Sequence, residues 1–170
     1  MADYKSLEEA AAKTSKITNG ALDYLIINGA YLSEKTNHYE PTQFAGKEEL
    51  LKSDMLYSTE VNVVGTMYTI NAFLGLIRKG SVKKIISISS GMADPDVILK
   101  AGAQGSIIYA AAKAALNMVI VKYAIELKPE GIALMTLSPG IVNTRNETRK
   151  FSFDSVFSGT KIQDPSYMLT

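Results

Sequence analysis

The spacing of apolar side chains alternates along this chain between a helix-like and a strand-like pattern. Short, β-branched or apolar runs predict strands at residues 22–29, 83–90 and 131–140. Apolar positions that recur every three or four residues predict helices from about Ser6 to Ser15, from Leu50 to Leu76 and from Ser106 to Leu127. Residues 31–47 and 91–105 follow neither period, so we predict irregular chain there.

Local signals set the ends of these elements. The run from Ser6 to Glu9 has the form of a capping box, and Asn19-Gly20 predicts the end of the first helix region. Arg78-Lys79-Gly80 is a typical helix C-terminus. The chain from Arg145 onward has no firm pattern.

The alternation of strands and helices predicts parallel β-α-β units and therefore the α/β class. In such sheets, ligands bind beyond the carboxyl ends of the strands. Small, polar, turn-forming residues stand at all three predicted ends, which are Asn28-Gly29-Ala30, Ser89-Ser90-Gly91 and Ser138-Pro139-Gly140. These ends predict a shared ligand cleft, although turns alone also favour such residues.

Composition narrows the function classes. The 170 residues suit one domain, with 46% hydrophobic and 21% charged residues. The net charge of +1 gives no electrostatic reason to expect nucleic acid or an acidic membrane as a partner. Without cysteine, disulfides and zinc–thiolate sites are excluded, and we predict no metal site. The N-terminus shows no signal-peptide core and no apolar run looks long enough to span a bilayer, so we predict a cytoplasmic protein.

Tyr109 and Lys113 lie four positions apart in the helix predicted from Ser106, so they share one helix face. A nearby ammonium favours the phenolate, and such a pair can pass a proton to or from an alcohol or ketone oxygen. The same spacing also arises by chance. Tyr31 and Lys35 repeat it in an irregular segment, and we interpret that copy as a coincidence.

Two polar residues have positions that bring them towards this pair. Ser90 ends the strand before the Tyr109 helix, where its hydroxyl can hydrogen-bond a substrate oxygen or simply satisfy a local turn. Asn62 lies inside the long helix, close to Gly65, and both are poor residues for a helix interior. A local distortion there would free a backbone carbonyl and aim the amide; the alternative is a solvent-facing asparagine without a role.

Five motifs in order resemble the short-chain dehydrogenase/reductase family, and the resemblance covers residues 3 to about 144. They are the strand end at Asn28-Gly29-Ala30, Asn62 with Gly65, the strand from Ile85 to Ser90, Tyr109 with Lys113, and the run from Ser138 to Thr144. The resemblance implies one incomplete Rossmann-like domain over residues 1–170, built on a doubly wound parallel sheet that keeps strands 4 to 6 of the family pattern. The segment from Tyr31 to Phe44 is similar to members from filamentous fungi, which implies a role in secondary metabolism.

The resemblance also implies roles for single residues. Tyr109 would be the general acid or base, and Lys113 would lower its pKa and hold the nicotinamide ribose. Ser90 would orient the substrate oxygen, and Asn62 would hold a water that links Lys113 to solvent. Asn28, Val142 and Thr144 would line the cofactor site. The implied reaction is hydride transfer between NADP or NAD, with NADP favoured, and a ketone or secondary alcohol.

Two departures from the family pattern stand out. Nineteen positions separate Ser90 from Tyr109, which is longer than the usual family spacing. No Thr-Gly-x-x-x-Gly-x-Gly phosphate-binding turn occurs in the sequence, and Ala2 to Leu7 look like the segment just after the family's third strand. We therefore expect a chain shortened at both ends, with an exposed edge strand at 23–27. The alternatives are an inactive remnant or an interaction subunit, and the helices at 50–76 and 106–127 are the predicted contact surfaces of a homo-oligomer.

Overall fold

A computed structural model describes residues 2–140 of the chain. Helices and strands alternate along the described residues, as the sequence predicts for the α/β class. They are α1 (Tyr4–Ile17), β1 (Tyr24–Ile27), α2 (Glu48–Thr59), α3 (Gly65–Lys79), β2 (Lys84–Ile88), α4 (Pro95–Ala101), α5 (Ile107–Leu127) and β3 (Ala133–Leu137). The predicted run from Ser138 to Thr144 continues past this range, so Val142 and Thr144 lie outside the described residues.

The three strands form one parallel sheet in the order β1-β2-β3. Ile26 pairs with Ile86 and Ile86 pairs with Met135, which places these three side chains in one row across the sheet. Ile26 and Met135 are 62% and 52% exposed, so the described residues leave this face of the sheet open. We call it the open face.

The opposite face carries the hydrophobic core. Leu25, Ile27 and Ile85 point into a cluster with side chains of α3 and α5, namely Ile70, Ile77, Leu116, Ile120 and Leu127. Apolar burial of this kind is the main favourable term in folding, so these two helices are held to the sheet chiefly by it. The core therefore fixes where α5, with Tyr109 and Lys113, lies relative to β2.

The first helix begins two residues earlier than predicted. Asp3 is its N-cap and accepts a hydrogen bond from the Ser6 backbone N–H at 3.3 Å. A carboxylate at this position satisfies one of the free amides of the first turn, so Ser6 does not serve as the cap. The predicted end is confirmed, because Asn19 and Gly20 both take positive φ angles directly after the helix.

The prediction of a loop over 91–105 is wrong for half of that segment. A 3₁₀ turn spans Gly91–Ala93, and α4 follows from Pro95. Asp94 caps α4 by accepting hydrogen bonds from the N–H groups of Asp96 and Val97, and Pro95 occupies the first helical position. Proline there lacks only an N–H that would have no helical partner, so Asp94-Pro95 begins a helix instead of forming an isolated turn.

The predicted distortion near Asn62 is confirmed. Glu48 to Lys79 form one continuous helical run of 32 residues, but Glu60–Val64 form a π-helical turn between α2 and α3. A π turn inserts an extra residue into the helical ladder, and such turns are frequent at functional sites. Asn62 sits in this turn and is only 1% exposed, which rules out the solvent-facing alternative.

Among residues 2–140, two helices are long and apolar enough to span a bilayer by length and composition, which corrects the prediction that no such segment exists. They are Glu48–Lys79 and Ile107–Glu130. Both contribute side chains to the core against the sheet. Core helices of soluble folds meet the same criterion, so it is weak evidence for a membrane span.

Gly80 marks a close approach between two backbone segments. A Cβ built on this glycine would lie 2.2 Å from the carbonyl oxygen of Leu22. Leu22 also donates its N–H to the carbonyl of Leu76 at 3.0 Å. The end of α3 can therefore meet the start of β1 only because position 80 has no side chain.

Candidate active site

Tyr109 and Lys113 occupy the first two turns of α5, and both point towards the end of β2. The Lys113 Nζ donates a hydrogen bond to the carbonyl of Ile88 at 2.7 Å. It also lies 5.7 Å from the centroid of the Tyr109 ring. Lys113 is 1% exposed, so α5 buries an ammonium next to a phenol at the carboxyl end of the central strand.

Burial shifts the pKa of both groups. Desolvation lowers the pKa of Lys113 to about 8, because the interior disfavours its charged form. Desolvation also raises the pKa of Tyr109, and the nearby Ser90 hydroxyl offsets part of that rise. The predicted lowering of the Tyr109 pKa by Lys113 is thus not present in this structure, where burial of the phenol is the largest effect.

Ser90 satisfies the local turn that was one of the two interpretations left by the sequence, while its hydrogen bond to a substrate oxygen stays a prediction. Its hydroxyl accepts a hydrogen bond from the Met92 N–H at 3.2 Å and so caps the 3₁₀ turn after β2. The same hydroxyl interacts with the Tyr109 side chain. The structure therefore brings Ser90, Tyr109 and Lys113 together at one strand end.

Asn62 is held close to α5 but uses its side chain elsewhere. The π turn that carries it packs against α5. Its Oδ1 accepts from the Tyr31 N–H at 3.0 Å, and its Nδ2 donates to the Tyr31 carbonyl at 2.9 Å and to the Ser58 hydroxyl at 3.1 Å. The Asn62 amide thus forms hydrogen bonds with both the backbone N–H and the backbone carbonyl of Tyr31. Whether Asn62 also holds a water for Lys113 stays a prediction.

Tyr31 and Lys35 do not form a second acid–base pair. Neither lies in a helix, so the four-residue spacing does not bring them onto one face. The Tyr31 hydroxyl instead donates to Asp54 Oδ1 at 2.9 Å. The interpretation of this copy as a coincidence is confirmed, but Tyr31 has contacts that the sequence did not indicate.

Of the three residues predicted to line the cofactor site, the structure describes Asn28, whereas Val142 and Thr144 lie outside the described residues. Asn28 follows β1 directly and is exposed, at the same edge of the sheet as Ser90. Its role in lining the cofactor site stays a prediction. Within residues 2–140, no cluster of three or more His, Cys, Asp or Glu side chains could hold a metal ion.

Sequence reasoning missed Asp54 and Thr36. The two oxygens of the Asp54 carboxylate accept hydroxyl hydrogens from Tyr31 and Thr36. Asp54 is 7% exposed, and carboxylates are seldom buried to this extent. One signal was available: Asp54 lies eight positions before Asn62, about two helical turns, so both face the same side of the long helix.

A small, partly open cleft of about 10 Å³, which is room for about one water molecule, lies between the 31–37 segment and Tyr109. Hydroxyl and apolar side chains line it, from Leu32, Ser33, Thr36, Ser58, Ile108 and Tyr109. The cleft lies on the side of Tyr109 that faces the residues after β1. A group that enters it would reach the tyrosine from that side.

Comparison with known proteins places this geometry in a family. A family profile described as short chain dehydrogenase matches residues 1–154. A short-chain dehydrogenase/reductase of Arthrinium sp, atnB, is 42% identical over 142 residues, which cover 84% of this chain and 53% of the relative. The chain thus spans about half the length of the curated relatives it matches.

Two solved structures share the fold. The NADPH-bound carbonyl reductase from chicken fatty liver superposes with a TM-score of 0.67 at 24% identity, covering 82% of this chain and 54% of that one. An enoyl-(acyl-carrier-protein) reductase from Anaplasma phagocytophilum in complex with NAD gives a TM-score of 0.69 at 18% identity, covering 86% of this chain and 50% of that one. At these identities the likeness concerns the fold, and these neighbours bind either NADP or NAD.

Proposed function

Because the chain belongs to the short-chain dehydrogenase/reductase family of oxidoreductases, we propose that it works as an NAD(P)-dependent oxidoreductase on a ketone or secondary alcohol. The observation that carries this proposal is the convergence of Ser90, Tyr109 and Lys113 at the carboxyl end of β2. Parallel α/β sheets bind their ligands at this edge. The role in fungal secondary metabolism and the cytoplasmic location stay predictions.

Tyr109 is the proton donor to the substrate oxygen in this proposal. Burial raises the pKa of its phenol, so the hydroxyl stays protonated near neutral pH and favours ketone reduction over alcohol oxidation. The Ser90 hydroxyl, next to the phenol, donates a second hydrogen bond to the same oxygen and stabilises the charge that builds there. A bound nicotinamide cofactor would supply the hydride.

The described residues fit the nicotinamide end of such a cofactor. An ammonium has three N–H donors, and Lys113 commits one of them to the Ile88 carbonyl. The remaining donors suit ribose hydroxyls, and the exposed Asn28 at the end of β1 adds an amide at the same edge. For the phosphates, the sequence offers no glycine-rich turn. The proposed cofactor is NADP, with NAD as the alternative.

The test is ketone-dependent oxidation of NADPH by the purified chain at saturating cofactor. We expect Tyr109→Phe to lower kcat by about 100-fold or more, because positioned proton transfer contributes at least that much. Tyr24→Phe is the matched control, since Tyr24 is 50% exposed on the open face. A wild-type chain that turns over no ketone with either cofactor, or a Tyr109→Phe variant with full activity, contradicts the proposal.

A homo-oligomer built through the helices at 50–76 and 106–127 remains part of the proposal. Met118, Val121 and Ile125 are at least half exposed on α5 and recur at intervals of three and four residues. This spacing places them on one helix face. A second copy of the chain presenting the same face would cover it.

A further inference from the structure

The buried carboxylate of Asp54 ties two separate points of the chain together. Its Oδ1 accepts from the Tyr31 hydroxyl at 2.9 Å, and its Oδ2 accepts from the Thr36 hydroxyl. Both donors belong to the segment from Tyr31 to Thr36, so one carboxylate holds its two ends. Hydrogen bonds to an ionised group are stronger than those between neutral groups, and a buried carboxylate that loses them stays poorly solvated.

The same segment is held at its backbone. The Asn62 amide pairs with the N–H and carbonyl of Tyr31. Further along, Ser106 at the start of α5 donates its hydroxyl to the Asn37 carbonyl at 2.7 Å. The segment therefore bridges the long helix, through Asp54 and Asn62, to the helix that carries Tyr109.

Between these anchors the segment forms one wall of the cleft beside Tyr109. Leu32, Ser33 and Thr36 line the cleft from this side. Ser33 forms two hydrogen bonds at the C-terminal end of this segment. Its carbonyl accepts from the Asn37 N–H at 3.1 Å, and its hydroxyl accepts from the Thr36 N–H at 3.3 Å. A change in the anchors would move the wall relative to the phenol.

We propose that Asp54 is a positioning residue, which holds residues 31–36 as the cleft wall against Tyr109. The inference rests on the proposed function for its consequence, which is that this wall selects substrates by the size of the group next to the carbonyl. Asp54 acts through Tyr31 and Thr36. The wall itself is a feature of the folded chain and can be tested without turnover.

The first measurement is amide hydrogen exchange of the full chain. In Asp54→Ala, we expect the amides of Tyr31, Thr36 and Asn37 to exchange about tenfold faster, the factor expected when charge-assisted hydrogen bonds are lost. Tyr31→Phe and Thr36→Val each remove one of the two bonds and are expected to show smaller increases. Asp54→Asn keeps the shape and one acceptor and is expected to restore part of the protection.

Glu49→Ala is the matched control, because it removes an exposed carboxylate from the same helix. Exchange in β2, over Lys84–Ile88, serves as the reference for global stability. Unchanged exchange at 31–37 in Asp54→Ala would overturn the proposal. So would an equal acceleration in β2, since Asp54 would then be a general stability residue and not a positioning one.

The second measurement follows Tyr109 directly. Its ring NMR signals, identified by their loss in Tyr109→Phe, are expected to shift in Asp54→Ala and to stay in place in Glu49→Ala. If the chain reduces ketones, KM for a bulky aryl ketone is expected to change at least about fivefold more than kcat. If the wild-type chain shows no turnover, only the proposed function is refuted. If the Tyr109 signals do not shift in Asp54→Ala, the positioning role is refuted.

Discussion

Replacing Lys113 by methionine is expected to stabilise the folded chain at neutral pH. Folding lowers the pKa of the ammonium from 10.5 to about 8, a shift of 10.5 − 8 = 2.5 units. At about 1.36 kcal/mol per unit, the buried charge costs the folded state on the order of 3 kcal/mol at pH 7. Methionine removes this cost but leaves the Ile88 carbonyl without its donor, a loss of about 1 kcal/mol. The net gain expected at pH 7 is about 2 kcal/mol.

The pH dependence has a definite sign. Between the folded pKa of about 8 and the unfolded value of 10.5, the unfolded chain binds more protons at Lys113 than the folded chain does. The wild-type free energy of unfolding therefore gains a contribution that rises with pH across this window. Above it, lysine is neutral in both states and the cost of burying the ammonium vanishes. Lys113→Met should then be about 1 kcal/mol less stable than wild type.

Chemical denaturation of both proteins at pH 7 and above pH 10 measures this difference, and other titrating groups cancel between them. Lys122→Met is the control, since Lys122 is exposed on the same helix. A Lys113→Met variant whose stability relative to wild type is the same at both pH values would refute the reasoning. It would mean that the ammonium is solvated in the folded state.

Two other predictions concern glycines and the cofactor. Gly75→Ala is expected to stabilise the chain by about 0.5–1 kcal/mol, because nothing lies within 4 Å of the added Cβ in the interior of α3. Gly80→Ala, five residues on, is expected to cost about 3 kcal/mol or more, since its Cβ would lie 2.2 Å from the Leu22 carbonyl oxygen. Thermal unfolding compares the pair, and equal effects would contradict the close approach. Calorimetric titration with NADPH is expected to show affinity weaker than micromolar, because the sequence lacks a phosphate-binding turn. Micromolar binding would show that other amides replace it.

The sequence predicted the parts of the fold that depend on periodicity. The strands and the long helices follow from apolar spacing, and the order of strands and helices follows from their alternation. The predictions that are wrong concern helix starts, where a single polar side chain determines the first residue of the helix. Asp3 caps α1 in place of Ser6, and Asp94 with Pro95 begins a helix within a segment rich in turn-forming residues. Both helix starts depend on which side chain accepts a hydrogen bond from a free backbone amide, and the spacing of apolar residues does not predict this.

The candidate site divides in a similar way. Tyr109, Lys113 and Ser90 could be predicted because the helix period and the strand order bring them together. Asp54 and its contacts with Tyr31 and Thr36 could not, because a loop without regular spacing supplies both donors. The direction of the Tyr109 pKa shift was also beyond the sequence, since it depends on how deeply the phenol is buried.

The number of residues in the π turn at Glu60–Val64 determines both where Asn62 lies and which face of α3 packs against the sheet. An extra residue in one turn offsets everything after it by about 100° relative to a regular helix. If the same sequence formed a regular helix without this turn, Ile70 and Ile77, both fully buried, would rotate away from the sheet. A single-residue deletion inside Glu60–Val64 should therefore keep the core and change the placement of Asn62, whereas a single-residue deletion between Gly65 and Ile70 should disrupt the core.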